Sequence, residues 1–209
     1  MRLLTTLLRF VQYTSIKNKI DESHSLGHSM KVLHYAQEGF RHQLTKSTLI
    51  KQQEPVIYTA AILHDLYDRK YKSINVPDIS TVLEYKLKPH EIKVVDQIIH
   101  TMSYSTVKKE GFPYMGDYQQ AYHIVREADL LASYDADRAF IYHMFHSNDD
   151  IWKTYQESRE FCENRVLKYH EDNLFMTEYG KTKGLELRTK LIEQLESWKT
   201  IIHTYDRYI

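Results

Sequence analysis

The chain has few turn-forming residues and only one cysteine. Its 209 residues include six glycines, four prolines and the single Cys162. So little glycine and proline leaves few of the tight turns that an all-β fold requires. One cysteine excludes an internal disulfide and a cysteine-rich zinc site, and it fits a reducing compartment.

The charges balance, with 28 lysines and arginines against 28 aspartates and glutamates. No net field therefore favours a nucleic-acid backbone or an anionic membrane as partner. After the first eleven residues, no run approaches the roughly 18 consecutive apolar residues that a membrane span needs. The apolar opening Met1–Val11 contains Arg9 and lacks a small-residue cleavage site, which indicates an amphipathic helix rather than a signal peptide. We expect a cytoplasmic protein with no membrane partner and no clear nucleic-acid surface.

Helical periodicity fills the segments between a few local breaks. Asp21–Gly27 indicates a loop, and a helix follows to about His42. Pro55 suits the first turn of the next helix, which continues through the apolar run YTAAILHDLY. A short helix over Ile79–Leu87 and another opening at Pro89 complete this half.

The second half is predicted to be helical as well. Lys108–Asp117 is the clearest loop, and a long helix runs from about Tyr118 until Ser147–Asp150 ends it. Two further helices are separated near Tyr179–Gly184. The chain is thus predicted to be an all-α, single-domain bundle of roughly seven or eight helices.

A histidine and an aspartate lie side by side in one of the most apolar segments, at His64–Asp65. On a helix they would share a stripe with Ala61 and Asp68. Burying an ionised carboxylate there is costly unless a cation compensates it. A buried His–Asp hydrogen-bonded pair is the alternative interpretation.

Two more polar residues occupy apolar helix faces. Asp129 lies four residues after Val125 and three before Ala132, and His28 lies four before Val32. Each alone could be an ordinary core residue. Together with the His–Asp pair they offer two imidazoles and two carboxylates on three helices. Such a set suits manganese, iron, nickel, cobalt or magnesium and leaves about two octahedral positions for water and substrate.

The order His28, His64–Asp65, Asp129 resembles the H…HD…D signature of the HD-domain phosphohydrolase superfamily. The resemblance implies one divalent ion (Mn, Ni, Co, Fe or Mg) held by these four residues. It also implies one HD-type helical domain over 1–209, with a metal-binding core at about 21–147 and C-terminal helices at about 150–209.

Longer motifs are similar to those of the YedJ/YpgQ-like subgroup. Asp21–His28 followed by Lys31-Val32 is similar to its first motif, and Ala61–Tyr71 to its second. Ser103–Ser105 and the Thr182–Trp198 helix resemble its later parts.

The chain departs from the subgroup at three places. Lys31 stands where the subgroup has arginine, and Ser25 where an aspartate is common. Asp129 is followed by Leu130-Leu131-Ala132 instead of Arg-Leu-Asp. These departures bear on substrate contacts more than on metal binding.

The resemblance implies hydrolysis of a phosphoester or phosphoanhydride, with a nucleotide as substrate and the ion activating a water. Asp68 would orient that water or accept its proton, unless it is a solvated acid. His24 would support the metal-binding residues without contacting the ion, or protonate the leaving group, unless it faces solvent. Arg69 and Lys70 would hold the phosphates, unless they only compensate a helix dipole.

Several alternative functions are compatible with these residues. The hydrolysis could release orthophosphate from a monophosphate or pyrophosphate from a triphosphate. A phosphodiesterase acting on a cyclic or oligomeric nucleotide is a second enzymatic reading. A catalytically inactive HD-type binding protein is a third, and a homodimer is compatible with all of them.

Overall fold

The computed structural model describes residues 3–67, 76–146 and 150–205. Over these ranges the regular structure is entirely helical, without a strand. The predicted all-α class is confirmed, although the helices outnumber the roughly seven or eight expected, and α4 is shorter than the predicted Ile79–Leu87. The helices are α1 (Leu3–Lys17), α2 (Leu26–Leu44), α3 (Glu54–Leu63), α4 (Ile79–Leu83), α5 (Pro89–Thr101), α6 (Tyr104–Glu110), α7 (Gln119–Ala132), α8 (Ala136–His146), α9 (Ile151–Asn164) and α10 (Glu178–Tyr205). None of these is both long and apolar enough to cross a membrane.

Helices α2, α3 and α7 form the centre of the fold, and α2 packs extensively against the other two. In α3 every residue from Val56 to Leu63 is buried. A helix that is apolar all round is stable only inside a core. In α7 the residues from Ala121 to Ala128 are all buried too. These helices therefore carry their polar residues into the interior.

A second, smaller apolar cluster joins α8, α9 and α10. Phe140, Tyr155 and Ile202 are buried in it, and the Phe140 ring stacks on Trp198 with 4.7 Å between the ring centroids. Cys162 on α9 is also buried, and burial raises the pKa of its thiol to about 12. Little thiolate is present at neutral pH, so this cysteine is a packing residue.

Part of the predicted loop at Lys108–Asp117 is helical, because α6 extends to Glu110. Ser103 caps the first turn by accepting a hydrogen bond from the Thr106 N–H at 3.3 Å. Gly111 ends the helix with a φ of 78°. A serine before and a glycine after are ordinary boundary signals of a short helix.

The long helix predicted from Tyr118 is in fact two helices. α7 ends at Ala132, and α8 begins at Ala136. Asp135 caps the start of α8 by accepting a hydrogen bond from the Arg138 N–H at 3.2 Å. Capping by a short polar side chain competes with helix continuation, and here it redirects α8.

The break predicted near Tyr179–Gly184 lies inside α10, so that boundary was wrong. Its glycines are close-packing positions instead of helix breakers. A Cβ on Gly180 would collide with the Glu127 carboxylate, and one on Gly184 would lie 2.7 Å from His170 Nε2. The true connection between α9 and α10 precedes them.

Arg126 and Glu127, each 1% exposed, tie α7 to the segment before α10. Glu127 Oε1 accepts hydrogen bonds from the N–H groups of Met176 at 2.7 Å and Thr177 at 3.1 Å. The Thr177 hydroxyl donates to Oε2 at 2.5 Å. Arg126 donates to the Leu174 carbonyl and pairs with Glu127 at 3.3 Å. Both buried charges are thus compensated by each other and by the backbone.

Glu127→Ala should lower the free energy of unfolding by about 3–5 kcal/mol, because Arg126 would remain buried without its partner. Urea denaturation followed by circular dichroism measures the loss. The exposed Glu110→Ala is the control and should stay within about 0.5 kcal/mol of the parent. Equal stability of the two variants would contradict the anchoring role of Glu127.

Candidate metal centre

His64 and Asp65 lie in the turn that ends α3, not within the helix as predicted. The Leu66 N–H donates to the Leu63 carbonyl at 3.1 Å, an i to i+3 hydrogen bond. Adjacent side chains on a helical turn point roughly 100–120° apart, so His64 and Asp65 approach their common point from two sides and do not lie on one face. Both residues are buried. Asp68, predicted to share their face, lies outside the described residues.

His28 and Asp129 reach the same point from the neighbouring central helices. His28 is in the first turns of α2 and is buried. Asp129 is in α7, and its side chain is 24% exposed. The extensive packing of α2 on both α3 and α7 brings the three elements together.

Four side-chain donor atoms meet there. The Nε2 atoms of His28 and His64 are 3.2 Å apart, and Asp65 Oδ2 lies 3.4 Å from each. Asp129 Oδ1 lies 3.2 Å from His28 Nε2 and 3.6 Å from His64 Nε2. Neighbouring ligands of an octahedral ion with bonds of about 2.1 Å are about 3.0 Å apart, close to these separations. The buried group His28, His64 and Asp65 could therefore hold a metal ion.

The other ring nitrogen of His64 supports that fit. Its Nδ1 donates to the Ala61 carbonyl at 2.9 Å, which assigns the proton to Nδ1 and directs the Nε2 lone pair at the cluster. Metal-binding histidines are typically held in this way. A cation between the two imidazoles and the two carboxylates would satisfy all four donors, which are of the types that borderline divalent ions accept.

The cluster attracts positive charge. Burial alone would lower the pKa of His64, but the carboxylates of Asp65 and Asp129 outweigh it and raise the pKa to about 9. Burial, helped by the Arg138 guanidinium, lowers the pKa of His28 to about 4. Burial would raise the pKa of Asp129, yet hydrogen bonds from the two imidazoles hold it well below its usual range. Without a metal, a proton on His64 supplies the compensating charge.

His24 is held beside this centre by a buried carboxylate. Asp21 caps the short 3₁₀ turn Glu22–His24 by accepting a hydrogen bond from the Ser23 N–H at 3.0 Å. His24 Nδ1 lies 3.3 Å from both Asp21 oxygens and 2.8 Å from Ser23 Oγ. With its side chain 11% exposed, His24 does not simply face solvent.

A cavity of about 400 Å³ opens beside the four donor atoms. Besides His64, Asp65 and Asp129, its walls include side chains that could contact a ligand: His24, Tyr104, Arg138, Tyr142, Phe161 and Arg165. Arg138 Nε donates to the Ser23 carbonyl at 2.6 Å, which links α8 to the turn that carries His24. The candidate centre therefore has room for a small molecule next to it.

The structure brings His28, His64, Asp65, Asp129 and His24 together, while their chemical roles remain predictions. The predicted phosphate-binding pair Arg69 and Lys70 lies outside the described residues. Sequence reasoning included Asp21 in a motif without giving it a role, and it did not identify Arg138 or Arg165. The spacing of Asp21 from His24 was a usable capping signal. The sequence carries no comparable signal for the two arginines. They reach the same cavity only because the chain breaks between α7 and α8 and α9 then packs back beside α8.

Comparison of the chain with family models, curated proteins and solved structures found no match. What the geometry offers is a nitrogen and oxygen donor set beside a cavity with cationic side chains.

The hydrogen bonding of Asp21 leads to a pH prediction. Burial alone would raise the pKa of Asp21, but hydrogen bonds from His24 and Ser23 outweigh it and lower the pKa from 3.8 to about 2. Because the folded-state pKa is depressed, the stabilisation is present above the ordinary pKa and is lost as the pH falls through about 2.

Asp21→Asn should therefore destabilise the protein by about 2 kcal/mol near neutral pH, and the difference from the parent should shrink on acidification. Urea denaturation at several pH values measures both. The exposed Asp117→Asn serves as control. A destabilisation that stays constant down to the acid limit would show that the Asp21 charge is not involved.

Removing one metal-binding side chain should weaken metal binding strongly. Asp65→Ala and His64→Ala should weaken binding of cobalt or manganese by more than about 100-fold, since even the outer supports of metal ligands cost 10–100-fold. Calorimetry and metal analysis after dialysis measure this. His34→Ala, an exposed histidine on α2, is the matched control and should bind as the parent does. Unchanged metal content in Asp65→Ala would exclude this centre.

Proposed function

We propose that this chain is a metal-dependent phosphohydrolase of the HD-domain type, acting on a nucleotide. One observation carries the proposal: the donor atoms of His28, His64, Asp65 and Asp129 converge within 3.2–3.6 Å beside a cavity that contains two arginines. The order of these residues along the chain, in an all-helical fold, also matches the resemblance noted in the sequence.

The charge of the cavity supports an anionic substrate. A divalent ion would balance the two carboxylates of Asp65 and Asp129. Asp135, also in the wall, is paired with Lys31 at 2.5 Å. Arg138 and Arg165 then leave a positive excess, and within the described ranges no carboxylate forms an ion pair with either of them. A phosphorylated ligand complements such a site.

The residues present suit phosphoryl hydrolysis. A divalent cation held by His28, His64, Asp65 and Asp129 would make a water more acidic and offset charge on the phosphoryl oxygens. Arg138, fixed through the Ser23 carbonyl, would orient a phosphate oxygen with its remaining N–H groups. His24, held at Nδ1 by Asp21, would pass a proton from Nε2 to the leaving oxygen.

Aromatic side chains favour a nucleotide over a small inorganic substrate. Tyr104, Tyr142 and Phe161 all border the cavity. Tyr104 and Phe161 each contact the Arg165 guanidinium, and a ring face not used in that way offers a stacking surface that every base can use. The volume of about 400 Å³ falls within the range usual for small-molecule sites.

An assay of nucleoside mono- and triphosphates with manganese, nickel, cobalt or magnesium tests the proposal, with orthophosphate and pyrophosphate measured separately. We expect metal-dependent release of one of them. Asp65→Ala should lower kcat/KM by about 1000-fold or more, because metal catalysis contributes several kcal/mol. His34→Ala should retain the parent activity.

The same experiment separates the alternatives. Turnover confined to cyclic or oligomeric nucleotides would replace the proposal by a phosphodiesterase. Metal binding without turnover of any substrate would support an inactive binding protein. Turnover that survives chelation and Asp65→Ala would rule out metal-dependent hydrolysis at this centre.

A further inference from the structure

Arg165 is held in the cavity wall by two aromatic rings. It follows the last residue of α9, and its guanidinium carbon lies 4.5 Å from the Tyr104 ring centroid and 5.4 Å from that of Phe161. All three side chains line the cavity. Contact with aromatic faces holds a guanidinium in place while leaving its N–H edge to make hydrogen bonds.

The guanidinium interacts with the Tyr169 side chain, yet one of its donors has no partner within the described residues. Arg165 Nε is buried and has no hydrogen-bond partner among the described residues, where no carboxylate pairs with this side chain either. Arg159, within α9, differs, since it pairs with Glu163 at 2.7 Å and with Glu196 at 3.3 Å. A buried donor on a permanent cation is costly without an acceptor, so a bound anion would satisfy it.

We infer that Arg165, clamped by Tyr104 and Phe161, forms an anion subsite that binds a phosphate group of the ligand. The inference rests on the proposed function for the nature of the ligand. It adds a second binding point, separate from the ion, for a phosphate group other than the one undergoing hydrolysis. A planar fork that is always charged suits phosphate oxygens, and the clamp limits the conformational freedom lost on binding.

Calorimetric titration of the metal-free chain with inorganic pyrophosphate in the presence of a chelator tests the subsite alone. Arg165→Gln should weaken binding by about tenfold or more, since charge-assisted hydrogen bonds are the strong class. Arg165→Lys should bind pyrophosphate with an affinity between those of the parent and Arg165→Gln, because lysine keeps the charge and loses the planar fork. Arg159→Gln, the same change at an arginine of α9 outside the cavity lining, should bind like the parent.

Circular dichroism and metal content check that each variant is folded. Parent-like pyrophosphate binding by folded Arg165→Gln would overturn the subsite, as would absence of binding by the parent. If Arg165→Gln does not fold, the comparison of Arg165→Lys with Arg159→Gln decides, and equal binding by those two overturns the subsite. Phosphate-ester hydrolysis with an unchanged KM in Arg165→Gln would remove the subsite and leave the proposed function. If the parent hydrolyses no substrate but Arg165→Gln still loses pyrophosphate binding, the subsite stands and the proposed function falls.

Discussion

Compensation of buried charge is the constraint on which the rest of this structure depends. Within four positions, α7 carries two fully buried charges, Arg126 and Glu127, and the partly buried Asp129. The first two neutralise each other and hold the backbone before α10. Asp129 instead faces the imidazoles of His28 and His64. One helix therefore anchors the C-terminal segment with one face and completes the candidate metal centre with another, because each buried charge requires its own partner.

This arrangement links the cavity to the C-terminal third of the chain. Phe161 and Arg165 come from α9 and the residue after it, yet they share the cavity wall with donors from α3 and α7. The Glu127 contacts fix the chain just before α10, and α10 packs back on α7. The C-terminal helices thus supply part of the cavity wall itself, so a metal-binding core truncated after α8 would lack Phe161 and Arg165.

Periodicity was enough to predict the all-helical class, the inward position of His28 and the apolar setting of His64–Asp65. It could not predict where helices break, since Asp135 capping and the close approach at Gly180 depend on local or distant partners. The same limit applies to the site. Residues on apolar faces could be identified from their neighbours in sequence, whereas Arg165 reaches the cavity only through tertiary packing. A glycine in a helix was interpreted as a break because sequence alone does not reveal the side chain that needs the space.

The buried cysteine has a practical consequence for studying this protein. Cys162 is the chain's single thiol, and its raised pKa and enclosure keep it from reacting quickly with maleimides or spin labels. A cysteine introduced at exposed Met144, on the helix that brings Arg138 and Tyr142 to the cavity, would then be modified selectively. The natural chain is therefore already a suitable background for placing a single spectroscopic reporter near the cavity, without prior removal of native thiols.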